Sequence, residues 1–133
     1  MELHYCESVN NLSCKAAIAA IAFGREVDLA ESKDFWEEYG QDEWETCEKS
    51  FSQFFDSKVA EYSVELGPPI FRGGMEDPGY PENYLQQFGI HANQLVLWNI
   101  DGRVYGLSMT QEDTEFPIVV SFKKLLPAKQ PTI

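Results

Sequence analysis

Residues 93–109 read NQLVLWNIDGRVYGLSM, and their pattern decides how the C-terminal half is built. Two runs rich in β-branched, aromatic and aliphatic residues flank Asp101-Gly102, a dipeptide suited to the two positive-φ positions of a type I′ turn. A two-residue turn fixes the register, pairing Ile100 with Arg103, Trp98 with Tyr105, Leu97 with Gly106 and Val96 with Leu107. A tryptophan opposite a tyrosine is a stabilising cross-strand pair. After the acidic connection TQEDTE, the segment FPIVVSF (116–122) alternates in the same way and predicts a third strand with Ile118, Val120 and Phe122 on one face. The expected product is an antiparallel meander with one apolar face that needs a cover.

Helices upstream supply that cover. In DEWETCEKSFSQFF and the residues after it, Trp44, Cys47, Phe51, Phe54, Phe55, Val59 and Tyr62 recur at intervals of three and four, the spacing of one helical face. Asp42 and Glu45 stand in capping-box relation at its start, and the helix is predicted to run to about Tyr62. NNLSCKAAIAAIAFG predicts a shorter helix capped by Asn11 or Ser13 and stopped at Gly24. SKDFWEEYG predicts a third, with Ser32 as cap and Gly40 as stop. ELHYCE reads as an opening strand with Leu3 and Tyr5 on one face, and REVDLAE as a short strand or a loop. Residues 66–82, with four prolines and four glycines, form a long irregular connection. Pro81 then opens a short helix, PENYLQQFG. The fold class expected is α+β, an N-terminal strand and helices packed on a C-terminal antiparallel sheet of a hairpin plus a third strand. A chain of 133 residues with 44% hydrophobic residues suits one globular domain, 1–133, with 126–133 a loose tail.

The strand, the Ser13-Cys14 helix and REVDLAE together resemble the first βαβ unit of glutathione transferase or thioredoxin-like folds over about the first 30 residues. That resemblance implies parallel pairing of the two strands. No cis-proline segment before a hairpin follows, and no glutathione site is carried over.

A net charge of -12 argues against direct nucleic-acid binding, which needs lysine and arginine against phosphate, and against anionic membranes. The longest apolar run, 16–23, is too short to span a bilayer. Three cysteines without disulfide or zinc spacing, and no leader pattern, point to a reducing, cytoplasmic setting. The charge is local: residues 26–65 hold thirteen of the 22 acidic residues and three of the ten basic ones. Such a stretch can be a solvated skin, or a face that speeds encounter with a basic protein partner. On the second reading Trp36, Glu37, Glu38, Tyr39, Asp42, Glu43, Glu45 and Glu48 form the contact, with at least one of the two rings exposed as an anchor.

Cys14 is the candidate nucleophile of an alternative, enzymatic reading. It sits in a first helical turn, where the dipole lowers a thiol's pKa; His91 would be the base and Asn93 or Asp101 its orienting partner. His4, Cys6, Cys14 and His91 could in principle surround zinc, but their scattered spacing assigns no metal. Glu76, Asp77 and Glu82, or Glu112, Asp113 and Glu115, lack the spacing of a calcium loop and read as solvated turns. No cofactor is implied. The expectation is a non-enzymatic acidic binding protein, comparable in size and charge with small inhibitors or immunity proteins that neutralise a toxin or nuclease. A structural or oligomer-forming module, using the proline-glycine loop and the hairpin edge, is a further alternative.

Overall fold

The computed structural model describes residues 3–22, 26–36, 39–74, 76–81, 92–113 and 115–125. Its elements in chain order are β1 (Cys6–Val9), α1 (Cys14–Ile21), β2 (Glu26–Ser32), α2 (Gln41–Leu66), β3 (Phe71–Gly73), β4 (Ala92–Ile100), β5 (Arg103–Thr110) and β6 (Val119–Leu125). The fold is α+β. The strands form one antiparallel sheet in the order β1-β2-β6-β5-β4-β3.

The hairpin forms as the turn chemistry requires. Asp101 and Gly102 adopt φ of 52° and 84°, and the pairs Ile100↔Arg103, Trp98↔Tyr105, Leu97↔Gly106 and Val96↔Leu107 all occur. β6 completes the meander, and Ile118, Val120 and Phe122 are buried. Alternation along β4 divides the core. Val96 and Trp98 point to the face that α1 and α2 cover, while Leu95 and Leu97 join Val104 and Leu125 in a second cluster, packed by Phe71 and Tyr80.

On α2 the predicted stripe is buried from Cys47 to Tyr62, with Trp44 half-buried at its edge. Ser50 and Lys58 share that face and are satisfied there. The Ser50 hydroxyl donates to the Cys47 carbonyl (2.9 Å), and the Lys58 ammonium donates to the Leu12 carbonyl (3.1 Å) beside the rings of Phe54 and Tyr62. α2 starts at Gln41 behind Gly40, with no side-chain cap, so the Asp42-Glu45 capping box does not form; the Glu45 carboxylate instead accepts from the Gln41 side-chain amide Nε2 (3.2 Å). The helix outruns Tyr62 to Leu66 and stops where Gly67 turns to φ 84°. In α1, Ser13 is the cap, accepting from the Ala16 amide (3.2 Å).

Four further expectations are corrected. β1 begins at Cys6 because Tyr5 holds a φ of 60°, which ends extended backbone on its N-terminal side. β1 and β2 pair antiparallel, so the unit around α1 is not the parallel βαβ of the thioredoxin-like resemblance. SKDFWEEYG does not start a helix: Ser32 ends β2, and 33–36 are irregular. The proline-glycine segment contains β3, which adds an edge strand to β4. The helix expected after Pro81 and the tail 126–133 lie outside the described residues.

Candidate functional site

Backbone bonds first fix the site's frame. Ser32 donates its amide to the Ile118 carbonyl (2.9 Å), and its hydroxyl accepts from the Ile118 amide (2.8 Å). Lys33 donates to the Tyr5 carbonyl and Phe35 to the Glu115 carbonyl, both at 2.8 Å. Residues 32–35 are therefore laced between the start of β1 and the β5–β6 connection, which explains why they cannot coil into a helix: their polar groups are already engaged across the sheet. Side chains then alternate. Phe35 is buried with Tyr39 edge-on at 5.0 Å, whereas Trp36 turns outward, 57% exposed, with Phe116 edge-on at 5.0 Å.

This arrangement gathers carboxylates from four separated segments at one end of the sheet. Glu31 and Asp34 flank the end of β2, Glu7 stands across from them on β1, Asp42, Glu43 and Glu45 open α2, and Glu112 and Glu115 come from the β5–β6 connection. Glu7, Glu31 and Asp34 line a cavity of about 500 Å³ with Ser32, Lys33 and Pro117. Lys33 is the described basic side chain in this group, and it is ion-paired with Glu43. The hydrogen bond from Glu43 raises the Lys33 pKa. Elsewhere Lys58 pairs with Glu61 (3.3 Å), Arg72 with Asp56 (2.7 Å) and Lys123 with Glu26 (3.0 Å). Asp34, Asp42, Glu45 and Glu115 are exposed and, among the described residues, have no ion pair. These carboxylates share one end of the sheet, where like charges closer than the roughly 8–10 Å screening length would reinforce one another's potential.

Of the residues expected to make the contact, Trp36 is exposed and Tyr39 half-buried; Asp42 and Glu45 are exposed. Glu43 is half-buried and engaged by Lys33, so it is not a free acceptor. Glu48 is half-buried beside a second cleft. Glu37 and Glu38 lie outside the described residues. Glu7, Glu31, Asp34, Glu112, Glu115 and Phe116 were absent from the sequence-based set. The acidity of TQEDTE was visible, but not that it would lie beside the end of β2.

Cys14 occupies a different region. It is 2% exposed, and burial, aided by Glu65 and Glu61, pushes its thiol up to about 11. Desolvation outweighs the one favourable helix terminus, and the group stays protonated near neutral pH. Asn93 is on the acidic end, where its side-chain oxygen accepts from the Gln111 amide (2.9 Å). Glu61, beside Cys14, and Glu48, beside Asn93, are thirteen residues apart on α2, about 20 Å by helical rise. The structure does not bring Cys14 and Asn93 together; His91 lies outside the described residues. Cys47 is also buried and pushed up to about 11, while Cys6 is half-exposed. A disulfide reagent at mildly alkaline pH is therefore expected to modify Cys6 in the native protein and to reach Cys14 and Cys47 only in denaturant. Rapid native reaction of all three thiols would contradict this placement.

Among the described residues no group of three or more His, Cys, Asp or Glu side chains could hold a metal ion, and no helix is long and apolar enough to cross a membrane. No family model matches the chain, and no match is found among curated proteins or solved structures.

Proposed function

We propose that this chain is an acidic binding protein whose carboxylate-rich end captures a basic protein, in the manner of small inhibitor or immunity proteins that cover the cationic cleft of a toxin or nuclease. The observation that carries this reading is the convergence of β1, the end of β2, the start of α2 and the β5–β6 connection on one acidic end, with Trp36 exposed among them. Coulombic attraction would speed encounter and orient the partner, and the indole would supply desolvated contact area that a charged surface alone lacks. An enzymatic role for Cys14 is less well supported, because its thiol is buried and its pKa is raised.

The test compares capture from extract by three immobilised forms, eluted with a salt gradient. Neutralising Asp34→Asn, Asp42→Asn, Glu45→Gln and Glu115→Gln together leaves Glu43 to hold Lys33 and should preserve the fold. Affinity for the captured partner is expected to fall roughly tenfold or more, with a shallower salt dependence. Glu65→Gln with Asp101→Asn, away from this end, should leave capture unchanged. Salt-independent capture indifferent to the fourfold variant would overturn the proposal.

A further inference from the structure

A cleft of about 280 Å³ opens between α2 and the adjoining ends of β4 and β5. Trp44 and Met109 provide apolar lining, and Glu48, Asn93 and Gln94 are among its polar groups. Its volume falls just below the range that holds drug-sized ligands, and suits one long side chain better than a cofactor. Among the described residues the lining includes no lysine or arginine. Glu48 is half-buried, accepts a hydrogen bond from the Ser52 hydroxyl (3.2 Å), and has no ion pair among the described residues. Lys49 follows it in sequence but stands about 100° round the helix.

The orientation of Trp44 adds a constraint. Its Nε1 is buried and, among the described residues, has no hydrogen-bond partner, so the surface that Trp44 offers the cleft is carbon. An indole face with a carboxylate beside it is what a guanidinium recognises: the planar cation lies over the ring, and its N–H fork reaches the carboxylate. Asn93 is held in place by accepting from the Gln111 amide (2.9 Å), so the rim is positioned before anything binds.

From this geometry we infer that the cleft receives an arginine side chain of the basic partner, stacked on Trp44 and paired with Glu48. The inference rests on the docking reading above and gives it a point of specificity: the acidic end attracts positive charge generally, and the cleft selects one planar cation from it. A binding surface built this way distinguishes arginine from lysine, because an ammonium offers no planar face to the ring.

The test uses n-butylguanidine, a single guanidinium on an alkyl chain, titrated into the whole protein while the three indole N–H resonances are followed by NMR, with Trp44 assigned through Trp44→Phe. Saturable shifts at Trp44 and the Asn93 and Gln94 side-chain amides are expected at millimolar concentration, as suits so small a probe. Glu48→Gln should weaken binding roughly tenfold. A primary alkylamine of equal length should bind several-fold more weakly, and an uncharged urea analogue not at all. Absence of a saturable Trp44 shift overturns the inference. So does equal binding of the Glu48→Gln protein, checked as folded by its unchanged core resonances, or equal binding of the urea analogue. If n-butylguanidine fails while the fourfold variant still loses its partner, the cleft assignment alone is wrong; if n-butylguanidine binds but partner capture ignores that variant, the docking reading is wrong.

Discussion

Replacing Trp98 with alanine is expected to remove about 3–5 kcal/mol of stability, the usual cost of emptying a large aromatic site from a core. The ring is fully buried, in the middle of β4 on the face covered by the helices. It lies opposite Tyr105 across the hairpin, and Tyr105 stacks on Phe122 (5.7 Å), which meets Tyr62 of α2 edge-on (5.1 Å). Trp98 also donates its indole N–H to the Gly67 carbonyl (3.0 Å), tying the end of α2 to the sheet. Trp98→Phe keeps most of the apolar area and loses that bond, so it should cost less, roughly 1–2 kcal/mol. Urea unfolding of the three proteins reads both values from the midpoint at constant slope. Domains of this size are stable by only about 5–15 kcal/mol, so the alanine variant should be marginal at body temperature. A loss under about 1 kcal/mol would mean that the hairpin does not unfold together with the helices.

Stability should also fall steeply in alkali. Burial raises the thiols of Cys14 and Cys47 from 9.0 to about 11, and raises the Tyr62 hydroxyl further still. Each of these acids keeps its proton in the folded state at a pH where the unfolded chain has released it. The native state then binds more protons than the unfolded state, and unfolding free energy declines as pH rises. The stabilisation is complete below the ordinary thiol value and is lost as pH rises through the folded value, between about 9 and about 11. At 1.36 kcal/mol per unit, the two thiols together should cost roughly 3–5 kcal/mol between pH 8 and 11. Lys33, raised by its bond to Glu43, and Tyr62 act in the same direction. Urea midpoints across this range measure the effect, and Cys47→Ala should flatten the curve whatever it does to stability at pH 8. A pH-independent midpoint from 8 to 11 would show that these groups are wetter than the structure has them.

The hairpin register, the α2 stripe and the strand after TQEDTE were legible because each depends on neighbours in sequence: turn dihedrals at 101 and 102, a period of 3.6 residues, a period of two. The segment after β2 was misread for the opposite reason. Ser32 and Phe35 have the composition of a helix start, but Ser32 bonds to Ile118, 86 residues away, and Phe35 to the Glu115 backbone. Propensity worth tenths of a kcal/mol per residue yields to a ladder that satisfies backbone groups which burial would otherwise leave bare.

Taken alone, the amino-acid order determined an α+β chain with a C-terminal meander, an aromatic helix to cover it, and acidity concentrated in 26–65. Only the tertiary structure decided that β1 and β2 would extend the meander's sheet, that Trp36 would face outward while Phe35 faced in, and that Glu7, Glu112 and Glu115 would join Asp34 and Asp42 at one end. The physical reason is that charge and hydrophobicity are properties of residues, whereas a surface is assembled by strand pairing between segments as far apart as Asp28 and Ser121, 93 residues, whose side chains meet at 2.8 Å.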